Sequence, residues 1–100
     1  MAKKTLRKKQ ERELLAKLTV FVKDKISFFI NTKKWTASEI ACAIGSHSSR
    51  ISEIKKDSRI ISRSIFRNLY MADFFDMDDI MRDVQGLNEK EISYIEGLIK

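Results

Sequence analysis

Between Trp35 and Lys56 the sequence carries two helix-start signals separated by a glycine, and this spacing limits what the chain can fold into more than any other feature. Thr36 is placed to accept from the amide of Glu39, Glu39 to reach back to the amide of Thr36, and Trp35 to staple onto Ile40. The pattern predicts a helix from Ala37 to Ile44 that closes at Gly45, because glycine enters the left-handed backbone region at little steric cost. Ser46 is then placed to cap a second helix, running to about Lys56 with Ile51 and Ile54 turned inward. Two short helices can cross steeply only where small residues let them approach and apolar residues fill the crossing. Ala41, Gly45 and the set Ile40, Ile44, Ile51 and Ile54 meet that demand.

The flanking sequence is also helical in pattern. Leu14, Leu18, Phe21, Val22, Ile26, Phe29 and Ile30 recur at three- and four-residue steps and form one stripe, which Asn31-Thr32-Lys33-Lys34 ends. Ser62 or Ser64 can start a helix through about Phe75 whose apolar residues fall on two faces. Ile65, Leu69 and Ala72 dock it on the core, leaving Phe66, Tyr70, Phe74 and Met77 as an exposed strip for a second subunit. The alternative is that a C-terminal helix carrying Ile92, Ile95 and Ile99 folds back over that strip. Asp76 or Asp78 can cap a short helix near Ile80, and Leu87-Asn88-Glu89-Lys90-Glu91-Ile92 repeats the staple and capping-box pattern. With no proline, three glycines and 43% hydrophobic residues, the fold expected is all-α. It is a compact bundle of about five helices, divided into a basic arm (1–13), a central domain (14–76) and a C-terminal segment for packing or oligomerisation (77–100).

Charge is unevenly spread. Residues 1–70 hold 17 Lys/Arg against 6 Asp/Glu, a net +11, whereas residues 71–100 hold 3 against 8, a net −5. A basic body suggests a polyanionic partner. Lys3, Lys4, Arg7, Lys8, Lys9 and Arg12 make the N-terminus a basic arm, suited to a DNA backbone or minor groove or else a solvated helix face with Arg7 and Glu11 one turn apart.

Several other chemistries find little support. Cys42 is the only cysteine, so neither a disulfide within the chain nor a thiolate metal cluster can form. On a helix that packs into the domain it is expected to be a buried or half-buried filler. Asp76, Asp78 and Asp79 have the look of a calcium loop, but Met81 and Leu87 stand where that loop needs glycine and glutamate, so helix capping is the better reading. His47 has no nucleophile or carboxylate beside it in any motif, and no catalysis, cofactor or metal is expected. The basic N-terminus lacks the apolar stretch of a signal peptide, and the longest apolar runs are broken at Lys23 and Lys33. A cytoplasmic protein with no membrane partner is the expectation.

The segment Ala37-Ser38-Glu39-Ile40-Ala41-Cys42-Ala43-Ile44-Gly45-Ser46-His47-Ser48-Ser49-Arg50-Ile51-Ser52-Glu53-Ile54 resembles the helix-turn-helix of the lambda-repressor/Cro superfamily. The layout from Leu14 to Asp83 is similar to the CII-type regulators of lambdoid phages, with Ser46 as a departure where that family usually has an apolar residue. The resemblance implies a phage-like transcriptional regulator that binds double-stranded DNA as a homodimer or tetramer, with operator occupancy blocking or recruiting RNA polymerase. By position, His47, Ser48, Ser49, Arg50 and Ser52 would approach base edges. Lys33, Lys34, Lys55, Lys56 and Arg59 would hold phosphates. The rival expectation is a protein-interaction module, an antitoxin or host-takeover adaptor, acting through the acidic and aromatic C-terminal third.

Overall fold

The computed structural model describes residues 7–56 and 60–99 of the chain. Among them are six helices and no strand: α1 (Lys8–Asn31), α2 (Ala37–Ala43), α3 (Ser48–Lys55), α4 (Arg63–Met71), α5 (Met77–Asp83) and α6 (Glu89–Leu98). The all-α expectation holds, with six helices rather than about five. No helix among the described residues is long and apolar enough to cross a membrane.

The long α1 is the spine. Its stripe buries Leu14, Leu18, Phe21, Val22 and Ile26, and the other helices gather on that side because burial of this apolar surface is what drives the fold. The helix starts earlier than the stripe suggests. Residues 8–13, expected as part of a basic arm, are its first turns: the Gln10 side chain accepts from the Arg7 amide at 3.2 Å, and Glu11 sits in the first turn, where a negative charge favours the helix dipole. Tyr94 on α6 fixes the same turn by donating its hydroxyl to Glu11 Oε2 at 2.5 Å.

The two capping boxes read from the sequence form, and a third arises at Asp76, which rather than Asp78 caps α5. Thr36 pairs with Glu39 on α2, Asp76 with Asp79 on α5, and Asn88 with Glu91 on α6. Ser62, rather than Ser64, caps α4 by accepting from the Ile65 amide at 3.1 Å. That helix is shorter than expected, ending at Met71 with Ala72 as its cap. Asp73 takes the left-handed conformation at φ 65, while the amides of Asp73 and Phe74 turn back onto the carbonyls of Tyr70 and Leu69. This reciprocal pair of bonds closes a helix as a glycine turn would.

The early stop corrects the expected exposed aromatic strip. Chain reversal at Asp73 folds Phe74 and Phe75 under α4, so Phe66 (0% exposed) and Phe74 (7%) lie in the chain's own core. Phe75 stands against Phe66 at 5.2 Å between ring centroids and against Phe21 at 5.0 Å. Phe74 meets Phe29 at 4.8 Å and Trp35 at 5.2 Å. Trp35 therefore packs into an aromatic cluster with α1. Tyr70 and Met77 are half-buried. Cys42, expected inside, is exposed, because α2 turns Ile40, Ala41 and Ile44 to the core and Cys42 falls off that face.

One polar contact inside this apolar interior joins distant parts of the chain. Buried Thr19, in the middle of α1, donates its hydroxyl to the Leu15 carbonyl at 2.7 Å and accepts from the Ile61 amide at 2.8 Å. Thr19→Val keeps the shape but leaves the Ile61 amide without its acceptor, a loss expected to cost about 1–3 kcal/mol. Thr19→Ser, which keeps the hydroxyl, should recover part of that in urea denaturation. Equal stability of Thr19→Val and the wild type would show that water reaches the Ile61 amide.

Candidate nucleic-acid interface

The functional reading of the sequence rests on α2, α3 and the turn between them. At the end of α2, Gly45 adopts φ 67. Its amide returns to the Cys42 carbonyl at 3.2 Å, and that of Ser46 to the Ala41 carbonyl at 2.8 Å. Asn68 of α4 reaches across to the Ile44 carbonyl at 3.4 Å, which ties the turn to the core. These bonds explain why α3 begins at Ser48 instead of near Ser46. The Ser46 backbone is engaged in closing α2, and His47 becomes the N-cap with no side-chain bond to the helix.

α3 packs on α2 and α1 through Ile51 and Ile54, both buried. Successive helix residues are set about 100° apart, so the face opposite these isoleucines is made of Ser49, Ser52, Glu53 and Lys56. Ser48 and Lys55 lie on one flank and Arg50 on the other. His47, Ser48, Ser49, Arg50, Lys55 and Lys56 are exposed, and Ser52 and Glu53 half-exposed. Arg50 borders a small cleft of about 80 Å3 with Glu53, Ile54, Ile60, Ile61, Ser62 and Ile65. Glu53 was not among the residues expected to approach a base. Its place on the outward face follows from the register of Ile51 and Ile54, a signal already present in the sequence.

Of the residues expected to hold phosphates, Lys33 and Lys34 are exposed in the connection before α2, with Lys34 in the left-handed conformation at φ 63. Lys55 and Lys56 end α3. Arg59, Lys3 and Lys4 lie outside the described residues. Arg7, Lys8 and Lys9 are exposed at the start of α1, as is Arg12 one turn later. Arg12, the last cation of the expected basic arm, lines the same groove as Lys8 and Lys9.

Three carboxylates of the acidic C-terminal third, Asp79, Asp83 and Glu91, face cations of the same chain. Lys25 of α1 lies 3.8 Å from Asp79 and 3.4 Å from Asp83, Arg82 reaches both carboxylates, and Lys17 stands 3.7 Å from Glu91. Burial alone would raise the Asp79 carboxyl, but bonds from the Asp76 amide and Arg82, with the charges of Lys25 and Arg82, hold it below its ordinary value. The bond from Arg82 lowers Asp83 likewise. Burial, then the Glu11 carboxylate, raise the Tyr94 phenol.

No protein-family model, curated protein or solved structure matches this chain. The functional case therefore stands on the residues and their placement.

Proposed function

We propose that this chain is a sequence-specific double-stranded DNA-binding transcriptional regulator of phage or mobile-element type, acting by occupancy of an operator. The observation that carries the reading is the outward face of α3. It is polar, exposed at Ser49 and half-exposed at Ser52 and Glu53, is held from behind by two buried isoleucines, and ends in cations at Lys55 and Lys56. A helix so presented fits a major groove, whose edges are read by short polar side chains and by arginine. Lys33 and Lys34 supply charge suited to phosphates. The helix-turn-helix resemblance agrees with this reading.

The rival is a protein-interaction module built on the acidic third, and part of its charge is already engaged. Asp79, Asp83 and Glu91 already face cations of the same chain, so the charge asymmetry is partly satisfied internally. Reading two half-sites calls for a pair of copies. That pairing needs a surface other than Phe66 and Phe74, which are buried within the chain.

The test is selection of a preferred duplex from a random DNA pool, followed by titration at several salt concentrations. Affinity should fall steeply with salt as counterions are released. Arg50→Ala should cost about 1–3 kcal/mol on the selected duplex and less on random DNA. Equal losses on both would move Arg50 to a phosphate, and the absence of salt-dependent binding would end the proposal.

A further inference from the structure

The first turns of α1 form a cationic ledge beside the α3 surface. Lys8, Lys9 and Arg12 rim an open groove of about 660 Å3 whose floor is Leu15 and Ile60, with Glu11 as the only acidic lining residue among the described residues. The cleft beside Arg50 is also bordered by Ile60, so one residue joins the two depressions. The Glu11 carboxylate accepts from Tyr94 at 2.5 Å and lies 3.8 Å from Arg63. Those contacts offset its charge and fasten this end of α1 to α6 and α4.

We propose that this ledge is a second DNA contact, which grips the phosphate backbone as a rigid helix while α3 lies in the major groove. The inference rests on the DNA-binding reading of α3. Several observations favour a duplex backbone as the occupant. Lys8 and Arg12 are about one helical turn apart, roughly 6 Å along the axis, a spacing of the same order as that of successive charges on a strand. The cations are exposed, and the adjoining surface leads to the proposed base-reading helix. An α-helix with its side chains is about 10–12 Å across, too wide for a minor groove of about 6 Å. Residues 8–12 therefore meet phosphates from outside, and insertion as an extended arm is not open to them. Because the turn is already ordered by Glu11 and Tyr94, binding need not supply the entropy of folding it.

The experiment compares the full chain with Lys8→Ser/Lys9→Ser/Arg12→Ser, with Arg12→Gln alone, and with Lys90→Ser, which removes an exposed lysine from α6. Each is titrated with random and selected duplexes over a range of salt, and helical circular dichroism checks folding. The triple change should lower affinity for both duplexes by the same factor and reduce the slope of log K against log salt by about 2–3, and Arg12→Gln should reduce it by about 1. Lys90→Ser should leave the slope unchanged. Retention of the wild-type slope by the triple variant and by Arg12→Gln would overturn the ledge, while the Arg50→Ala loss on the selected duplex would leave the α3 reading standing. A wild type that binds no duplex would overturn both, and would direct the groove toward an acidic peptide instead.

Discussion

Phe66→Ala is expected to be among the most damaging single changes in this protein, lowering stability by about 3–5 kcal/mol. The ring is fully buried and packs against Phe75, which in turn stands edge-on to Phe21 of α1 and near Tyr70. Truncation removes a large apolar surface and leaves a void in the middle of this packing. Domains of this size are stable by roughly 5–15 kcal/mol in total, so the variant should melt far below the wild type. Phe66→Leu, which refills much of the volume, should cost less. The measurement is urea denaturation followed by circular dichroism, with sedimentation of both proteins alongside. A Phe66→Ala protein of wild-type stability that merely dissociates from dimer to monomer would return this residue to a subunit interface and contradict the burial described above.

Phe66 also shows where the sequence was legible and where it was not. Capping boxes depend on residues three apart in the chain, and Thr36–Glu39 and Asn88–Glu91 form as the pattern requires, while Asp76 resolves the choice left open with Asp78. The inward set Ile40, Ile44, Ile51 and Ile54 follows from periodicity alone and is buried throughout. What failed were judgements that depend on chain reversal. Asp73 carries no glycine-like signal, yet it takes the left-handed turn that brings Phe74 and Phe75 back under α4, and without that turn the second face of α4 reads as unpartnered. Ser46 was misjudged for a related reason, since its amide closes α2 while a capping serine looks the same from sequence. Thr19 went unnoticed because its acceptor role depends on Ile61, far along the chain. In the candidate interface the outward residues of α3 were legible from the period and the cations through Arg12 from composition, while the start of α1 at Lys8 was not, because the apolar stripe begins later than the helix does.

The second large effect is expected at Ile51. An isolated helix as short as α3 is unstable in water, so its place on the surface depends on what its inner face buries. Ile51 is fully buried and Ile54 nearly so, at the junction where α3 meets both α2 and α1. Ile51→Ala should therefore cost about 2–5 kcal/mol, and Ile51→Val about 0.5–1.5 kcal/mol. The two variants separate support of the helix from contact with a ligand. Ile51 has no exposed surface to offer DNA, so Ile51→Val should bind a selected duplex as the wild type does, while Ile51→Ala should lose affinity in proportion to the disorder it introduces into α3. Hydrogen exchange locates that disorder: the α3 amides should lose protection before those in the middle of α1, because a short helix held by two isoleucines opens at lower cost than a long spine held by five buried apolar residues. Near wild-type stability for Ile51→Ala, with the α3 amides still protected, would mean that α3 does not depend on this anchor, and the account of how the outward face is held in place would have to be abandoned.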